Sequence, residues 1–363
     1  FKPTGQDDVA LKIHELVLTV DTHTDTPWEL LQEGFDLNER HDYKETRTRL
    51  DFPRMKEGGL DAVFFAAFVG QGEWTAEAYG KAQGKCLQQI DSIHAHLARS
   101  SHSAGLAFSP REAYALEKEG KRTVFIGIEN GYPVGEDLAN LSLFYDRGAR
   151  YITLCHSKNN HICDSSNDTT EHNGLSEFGV EVVREMNRLG VMVDVSHASD
   201  SSFYNVLKVS TVPVIASHSC ARALCDNPRN LSDDMLRKLA ENGGVVQMCI
   251  LSDYVKTPEP NPERDNAFQA IRAKYGNYSD RTEEQQKQAR KEWRTADSLY
   301  PRTLATVADA VDHIDHMVEV AGIDHVGIGT DFDGGGGLAD CMDVSQLGNI
   351  TIELVKRGYS EEE

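Results

Sequence analysis

Short apolar runs of the kind that form β-strands recur along this chain, and longer segments of helical pattern separate them. The runs are rich in Val, Ile, Leu and Phe, which indicates parallel strands buried on both faces. Eight such runs in alternation with helices predict a (β/α)8 TIM barrel of the α/β class. The predicted strands are residues 17–25, 61–68, 123–129, 151–156, 191–197, 212–218, 245–250 and 326–331.

The segments between the strands carry recognisable helix signals. Ser176 begins a segment whose apolar residues follow a helical period as far as Leu189, and Gly190 is suited to end it. A further helix is predicted over 303–320, with His313 and His316 exposed on it. We see no internal repeat or domain boundary, so residues 1–363 are predicted to form a single domain.

One stretch interrupts this alternation. Residues 251–302 are polar and contain several prolines near their start, and within them 281–293 predicts a solvated helix. The stretch follows the seventh predicted strand, so it forms an insertion on the rim where barrel enzymes carry their catalytic residues. The sequence leaves open whether it covers a site or only decorates the surface.

Composition excludes several classes of function. A net charge of −21 disfavours nucleic acids and anionic membranes, both of which require a cationic surface. No run of 18 apolar residues is present, so no membrane span is predicted. The seven cysteines include no CxxC pair, and a zinc site from Cys220 and Cys225 lacks the usual spacing. The chain begins at Phe1 rather than Met, which suggests a processed N-terminus and slightly favours export over a cytoplasmic location.

Most of the strands end in a side chain that can bind a metal. His23 and Asp25 are two residues apart, so a strand turns both toward the same face. A strand-end His is often only a polar residue bonded to backbone, but repetition on five strands of one barrel favours a shared site. We therefore predict one ion held by His23, Asp25 and Glu129 and a second held by Glu129, His197 and His218, with Zn²⁺ as the metal.

Seven further motifs give the chain a specific resemblance. It is similar to the membrane dipeptidase family, the renal dipeptidase-like zinc peptidases of family M19, over about residues 15 to 358. The matching motifs are Asp21-x-His23-x-Asp25, Glu129 after Ile-Gly-Ile, Tyr151-x-Thr153-Leu154-x-His156-Ser157, Gly174-Leu175-Ser176-x-Phe178-Gly179, Ser217-His218-Ser219, Pro228-Arg229-Asn230-Leu231-x-Asp233-Asp234 and Gly329-x-Asp331-Phe332-Asp333-Gly334.

The resemblance implies a role for each site residue. It implies two zinc ions bridged by Glu129, with His156 at the scissile carbonyl and Asp331 handling protons. It also implies that Arg229 holds the free carboxylate of a dipeptide, that Tyr254 contacts the substrate, and that the protein is a homodimer.

The chemistry of these residues agrees with such roles. Two metals that share a water lower its pKa, so a metal-bridging hydroxide can attack the peptide carbonyl. His156 can donate to the developing oxyanion, and Asp331 can pass a proton to the leaving amine. The planar fork of Arg229 matches a carboxylate, although a surface ion pair with Asp233 or Asp234 is the plain alternative.

The chain departs from the family in its cysteines. Ser157 and Lys158 occupy a region where vertebrate members carry a disulfide cysteine. Cys225 lies where another disulfide partner can occur, but Thr257 stands in the place of its mate.

Two other functions remain open from the sequence. One is an amidohydrolase acting on another small amide or lactam, although such enzymes often bridge their metals with a modified Lys, where this chain has Glu129. The other is a non-catalytic binding protein that keeps the barrel, which the complete set of ligands disfavours.

Overall fold

A closed barrel of parallel strands forms the centre of the molecule. The computed structural model describes residues 5–276 and 281–363. Eight strands close into the barrel in the order β2-β1-β9-β8-β7-β6-β5-β4, and pairing of β2 with β4 completes the ring. The strands are β1 (Val20–Thr24), β2 (Ala62–Phe68), β3 (Ala104–Leu106), β4 (Arg122–Glu129), β5 (Ala149–Thr153), β6 (Met192–Asp194), β7 (Ile215–Ser219), β8 (Val245–Met248) and β9 (Val326–Ile328).

The barrel confirms the predicted fold. Each of the eight predicted runs overlaps a barrel strand. The remaining strand, β3, was not predicted; it is three residues long and pairs only with the start of β4, beside the ring.

Helices surround the barrel. Among the described residues they are α1 (Gly5–Leu16), α2 (Tyr43–Thr46), α3 (Phe52–Glu57), α4 (Ala76–Arg99), α5 (Pro110–Lys118), α6 (Ala139–Asp146), α7 (Glu177–Leu189), α8 (Asp200–Val209), α9 (Asp233–Glu241), α10 (Ser252–Val255), α11 (Pro262–Tyr275), α12 (Glu283–Leu299), α13 (Val307–Ala321) and α14 (Gly348–Arg357). None of them is both long and apolar enough to cross a membrane.

Helix α7 shows how local sequence sets these boundaries. The Ser176 hydroxyl accepts a hydrogen bond from the Gly179 amide and so caps the helix at its start. Gly190 ends the helix with a left-handed φ of 80°, a conformation that side chains other than glycine's disfavour. Both boundaries agree with the sequence prediction.

The alternation of side chains along β2 separates two packed layers. Val63 and Phe65 pack in the large core that the barrel shares with the helices. Phe64 belongs to a smaller cluster with Phe125 and Tyr151, in which the ring centroids of Phe64 and Phe125 lie 4.7 Å apart. Because strand side chains alternate with period two, these two sets point to opposite faces of the sheet.

The insertion after β8 is a helical hairpin of α11 and α12, which contains the predicted helix. At its base the Arg302 guanidinium pairs with both oxygens of Asp253, at 2.6 and 2.8 Å. Toward its tip Lys274 and Glu292 join the two helices at 2.5 Å. Arg294 donates to the Thr46 carbonyl at 3.3 Å, so the hairpin contacts a connection that follows β1 on the rim.

One prediction on α13 is wrong. His313 is not exposed: it is 1% accessible, and its ring bonds the Val255 carbonyl and the Ala221 amide. One partner lies in α10 and the other in the loop after β7, both distant in sequence, so the helical pattern of α13 gave no sign of them. His316 is half-buried against Asp233, at 2.7 Å.

Candidate metal centre

Six barrel strands bring polar side chains to one end of the barrel. These side chains lie in the last residues of a strand or within three residues beyond it. The structure brings together His23 of β1 and Asp25 directly after it, Glu129 of β4, His156 after β5, His197 after β6, His218 of β7 and Asp331 after β9.

Glu129 lies at the centre of this group. Its Oε2 is 3.6 Å from His23 Nε2. Its Oε1 is 3.0 Å from His197 Nε2 and 3.5 Å from His218 Nε2. The two oxygens of one carboxylate therefore face different histidines, as a bridging ligand requires.

Among the described residues, three overlapping sets of side chains could each hold a metal ion, because the donor atoms within each set lie within 4.8 Å of one another. The sets are His23, Glu129 and His218; Glu129, His156 and His197; and His23, Asp25 and Asp331. The five side chains predicted as metal ligands are all among them. His156 and Asp331, which were predicted to act on the substrate, lie close enough to belong to the same sets. Donor distances alone therefore do not separate ligands from catalytic groups.

The site suits a metal ion. His23 Nε2 is buried without a hydrogen-bond partner. The Nε2 atoms of His197 and His218 face each other at 3.0 Å. Nitrogen and carboxylate donors without a thiolate match the ligand preference of zinc.

The electrostatics of the site also attract a cation. Burial, together with Glu129, raises the pKa of Asp25. Burial likewise raises the pKa of Asp331 well above its usual value. Burial lowers the pKa of His218 to about 3, which leaves this imidazole neutral with a lone pair. His23 differs, since despite burial Tyr151 and Glu129 raise its pKa well above the usual value. The raised pKa values of the two buried carboxyls mean that their charged forms lack compensation, which a bound cation would supply.

A tyrosine beneath the site holds His23. The Tyr151 hydroxyl lies 2.8 Å from His23 Nδ1, which turns Nε2 toward Glu129. The Tyr151 ring lies against the backbone of Gly127 in the neighbouring strand β4, where any Cβ would overlap the ring. The Ile-Gly-Ile run before Glu129 thus has a packing reason, which the sequence analysis did not identify.

A buried carboxylate fastens β1 to the end of β9. Asp21 accepts hydrogen bonds from the amide and hydroxyl of Thr330 at 2.8 and 2.5 Å, and from the His23 amide at 3.2 Å. Burial raises the pKa of Asp21 to about 6. Asp21 therefore helps to fix the backbone at His23 and at Thr330, the residue before Asp331.

The backbone is strained at the site. Among the described residues, six other than glycine have positive φ, and four of them lie here: Asn130 (73°), His197 (68°), Asp331 (60°) and Asp333 (67°). Non-glycine residues adopt this conformation at a cost, and such residues are concentrated at functional sites. The turns direct His197 and Asp331 into the barrel mouth.

A buried arginine lies beside the histidines. Arg229 is 2% exposed, and it donates to the His218 carbonyl at 2.9 Å and to the Ser219 hydroxyl at 3.3 Å. Its Nε has no hydrogen-bond partner, and its guanidinium lies 5.1 Å from the centre of the Tyr254 ring. The Asn230 amide joins the two loops by donating to the Tyr254 carbonyl at 2.8 Å.

The alternative role of Arg229, a surface ion pair with Asp233 or Asp234, is not found in the structure. Within residues 5–276 and 281–363, no carboxylate lies within ion-pair distance of this guanidinium. Asp233 contacts His316 instead, and Asp234 accepts a hydrogen bond from Tyr204 at 2.6 Å. Arg229 is thus a buried cation whose charge is not matched by an acidic side chain of the described chain.

The cysteines are all free and buried. Cys220 and Cys225 contact the backbone carbonyls of Cys249 and Asp253, so their thiols do not converge on a common point. The Cys225 sulfur lies 3.8 Å from the Thr257 hydroxyl. This contact agrees with the expectation that Thr257 occupies the place of a cysteine partner.

Comparison with known proteins gives a consistent result. The family model described as "Membrane dipeptidase (Peptidase family M19)" matches residues 8–363. Dipeptidase verJ of Clonostachys rogersoniana is 31% identical over 97% of this chain and 81% of its own length. An uncharacterized dipeptidase of Schizosaccharomyces pombe is 31% identical over 93% of this chain and 74% of its own length.

A solved structure has the same architecture. The probable dipeptidase PvdM of Pseudomonas aeruginosa superposes with a TM-score of 0.84 at 29% identity, over 99% of this chain and 94% of that one. The family model, the relatives and the solved structure are all described as dipeptidases. The clustered donor side chains are consistent with a metallopeptidase. The chain therefore belongs to the membrane dipeptidase family, peptidase family M19.

Proposed function

We propose that this chain is a zinc-dependent dipeptidase with two Zn²⁺ ions. The observation that carries the proposal is Glu129, whose Oε2 faces His23 and whose Oε1 faces His197 and His218, beside a buried arginine that has no acidic partner among the described residues. His23, Asp25 and Glu129 would hold one ion, and Glu129, His197 and His218 the other. The relatives described as dipeptidases support the same activity.

When bound by these residues, zinc would polarise the scissile carbonyl and would lower the pKa of water enough to supply hydroxide near neutral pH. The chain's own groups act around that chemistry. His156, whose Nε2 is 3.8 Å from Glu129 Oε1, is positioned to donate to the oxyanion that develops on the carbonyl. Asp331 lies beside Asp25 and His23, where its carboxyl can carry a proton to the leaving amine.

Arg229 would select the substrate by its end group. Two of its N–H groups already bond the chain, which leaves Nε and the remaining protons available for a carboxylate. A planar guanidinium binds a carboxylate through two parallel hydrogen bonds. With Arg229 at a fixed position beside the metal ligands, the substrate carboxylate must lie close to the bond that is cut, which favours dipeptides over longer chains. The Tyr254 ring lies 5.1 Å from the same guanidinium, where it would contact the bound substrate.

The test combines metal content with a panel of substrates. The purified protein is dialysed against a chelator, reconstituted with measured amounts of Zn²⁺, and supplied with dipeptides, dipeptide amides, tripeptides and a lactam. We expect amino acid release only from dipeptides, restored maximally at two ions per chain. Full activity without metal would refute the proposal, and preference for the lactam or amide would favour an amidohydrolase.

Two predictions about the whole chain remain as proposals. We expect residues 1–363 to fold as one domain, so that thermal unfolding gives a single transition. We also expect a homodimer, as the family resemblance implies. Light scattering at several protein concentrations would measure the mass directly.

A further inference from the structure

A buried carboxylate behind His218 ties three barrel strands together. Asp194 is fully buried at the end of β6. Its Oδ2 accepts from the hydroxyls of Thr153 and Ser217 at 2.5 and 2.6 Å. Its Oδ1 accepts from the amides of Ser217 and Ser196 at 2.9 and 3.0 Å. Each oxygen therefore receives two donors, from β5, from β7 and from the residues that follow β6.

The direction of the proton at Ser217 follows from these distances. A serine hydroxyl has one proton to donate. Its nearest acceptor is Asp194 Oδ2 at 2.6 Å, whereas the Ser196 hydroxyl is 3.4 Å away. The third partner of the Ser217 oxygen is His218 Nδ1 at 2.8 Å. Because the hydroxyl proton points to the carboxylate, the oxygen must accept, and His218 Nδ1 must carry a proton.

That assignment determines the other ring nitrogen. A neutral imidazole carries a single proton, so protonation at Nδ1 leaves a lone pair on Nε2. His218 Nε2 is the atom that faces Glu129 at 3.5 Å and His197 at 3.0 Å. The lone pair is thus directed to the point where a metal ligand is needed.

We propose that Asp194 and Ser217 form a positioning relay that holds His218 in the Nδ1–H tautomer, so that Nε2 stays free to bind metal. The inference rests on the proposed metal role of His218. A partner on the far nitrogen of a ligating histidine fixes its tautomer and ring orientation, and removal of such a partner typically lowers metal affinity by about 10- to 100-fold.

The other two histidines are held differently. His23 Nδ1 contacts the Tyr151 hydroxyl, which can donate or accept, so that contact does not dictate the tautomer. His197 Nδ1 is buried without a hydrogen-bond partner. Of the three imidazoles, His218 alone has its tautomer set by a carboxylate acting through a hydroxyl, and its affinity for metal should depend most on the residues behind it.

The chain offers a matched control for the first experiment. Ser196 is 1% exposed, like the fully buried Ser217, but its hydroxyl bonds the His218 backbone amide at 3.0 Å and not the ring. Zinc affinity of Ser217→Ala and Ser196→Ala is measured by competition with a chromophoric chelator. We expect about 10- to 100-fold weaker binding of one ion in Ser217→Ala, and a change under about threefold in Ser196→Ala. Equal losses in both variants, or none in Ser217→Ala, would overturn the relay.

The second experiment reads the tautomer itself. The metal-free protein is labelled with ¹⁵N-histidine, and the His218 signals are identified by their loss in His218→Gln. We expect a protonated Nδ1 and an unprotonated Nε2 in the unmodified protein; the reverse would overturn the relay even if Ser217→Ala fails to fold. This measurement needs neither zinc nor turnover. A protein that showed the expected tautomer but bound no zinc would refute the proposed function and leave the relay intact.

Discussion

Replacement of Arg229 by methionine should remove recognition of the substrate carboxylate, together with the contacts of Arg229 to His218, Ser219 and Tyr254. Methionine keeps much of the buried volume but has no donor. A hydrogen bond to a charged group contributes about 1.5–3 kcal/mol, so a two-bond fork contributes about 3–6 kcal/mol. At about 1.4 kcal/mol per factor of ten, kcat/KM for a dipeptide should fall by about 10²- to 10⁴-fold. The two bonds that Arg229 already makes to the chain favour the lower half of that range.

The assay is a cycle of two enzymes and two substrates. Unmodified and Arg229→Met protein are each given a dipeptide and the corresponding dipeptide amide, which lacks the carboxylate. Loss of the contact with Tyr254 affects both substrates alike and cancels, so the difference between the two losses isolates the carboxylate interaction. Equal losses on both substrates would refute the assignment. Arg222→Met is the control, since the Arg222 fork is occupied by Asp200 and should give no such difference.

Three further predictions concern stability. Gly127→Ala forces a methyl group into the Tyr151 ring; we expect about 1–3 kcal/mol of destabilisation and weaker zinc binding, and an unchanged melting temperature would contradict the packing argument. Thr257→Cys should form a disulfide with Cys225 and stabilise the oxidised protein by about 3–4 kcal/mol; a melting temperature insensitive to reductant would count against it. Burial raises the pKa of Glu29 to about 7, so the free energy of unfolding should fall as pH rises from about 4.5 through 7. Glu29→Gln, which carries no charge, should therefore stabilise the protein by about 1–2 kcal/mol at pH 8 and hardly at pH 5. Urea unfolding at both pH values would test this.

Strand pattern predicted the barrel because each strand is a distinct apolar run. The ends of the strands were predicted less accurately. The run that closes in His197 was expected to remain extended, but β6 ends at Asp194 and the chain then turns into a left-handed conformation. Its position at the end of a predicted strand nevertheless placed His197 at the correct end of the barrel, since only a few residues separate it from β6.

The supporting residues could not be predicted in the same way. Tyr151 and Asp194 act through contacts with strands distant in sequence, and nothing in their local pattern distinguishes them from ordinary strand residues. The exposure of His313 was predicted wrongly for the same reason, because its partners come from segments that only the assembled barrel brings near. The proposed metal ligands are recognisable from residue type and position, whereas the residues that support them depend on packing.

The left-handed corners at His197 and Asp331 imply a trade-off between durability and activity. Each such corner costs about 1 kcal/mol or more relative to a relaxed backbone, and glycine would remove that cost. Selection for heat resistance alone would therefore favour glycine at both positions, although the proposed chemistry requires His197 as a metal ligand and Asp331 as a proton carrier.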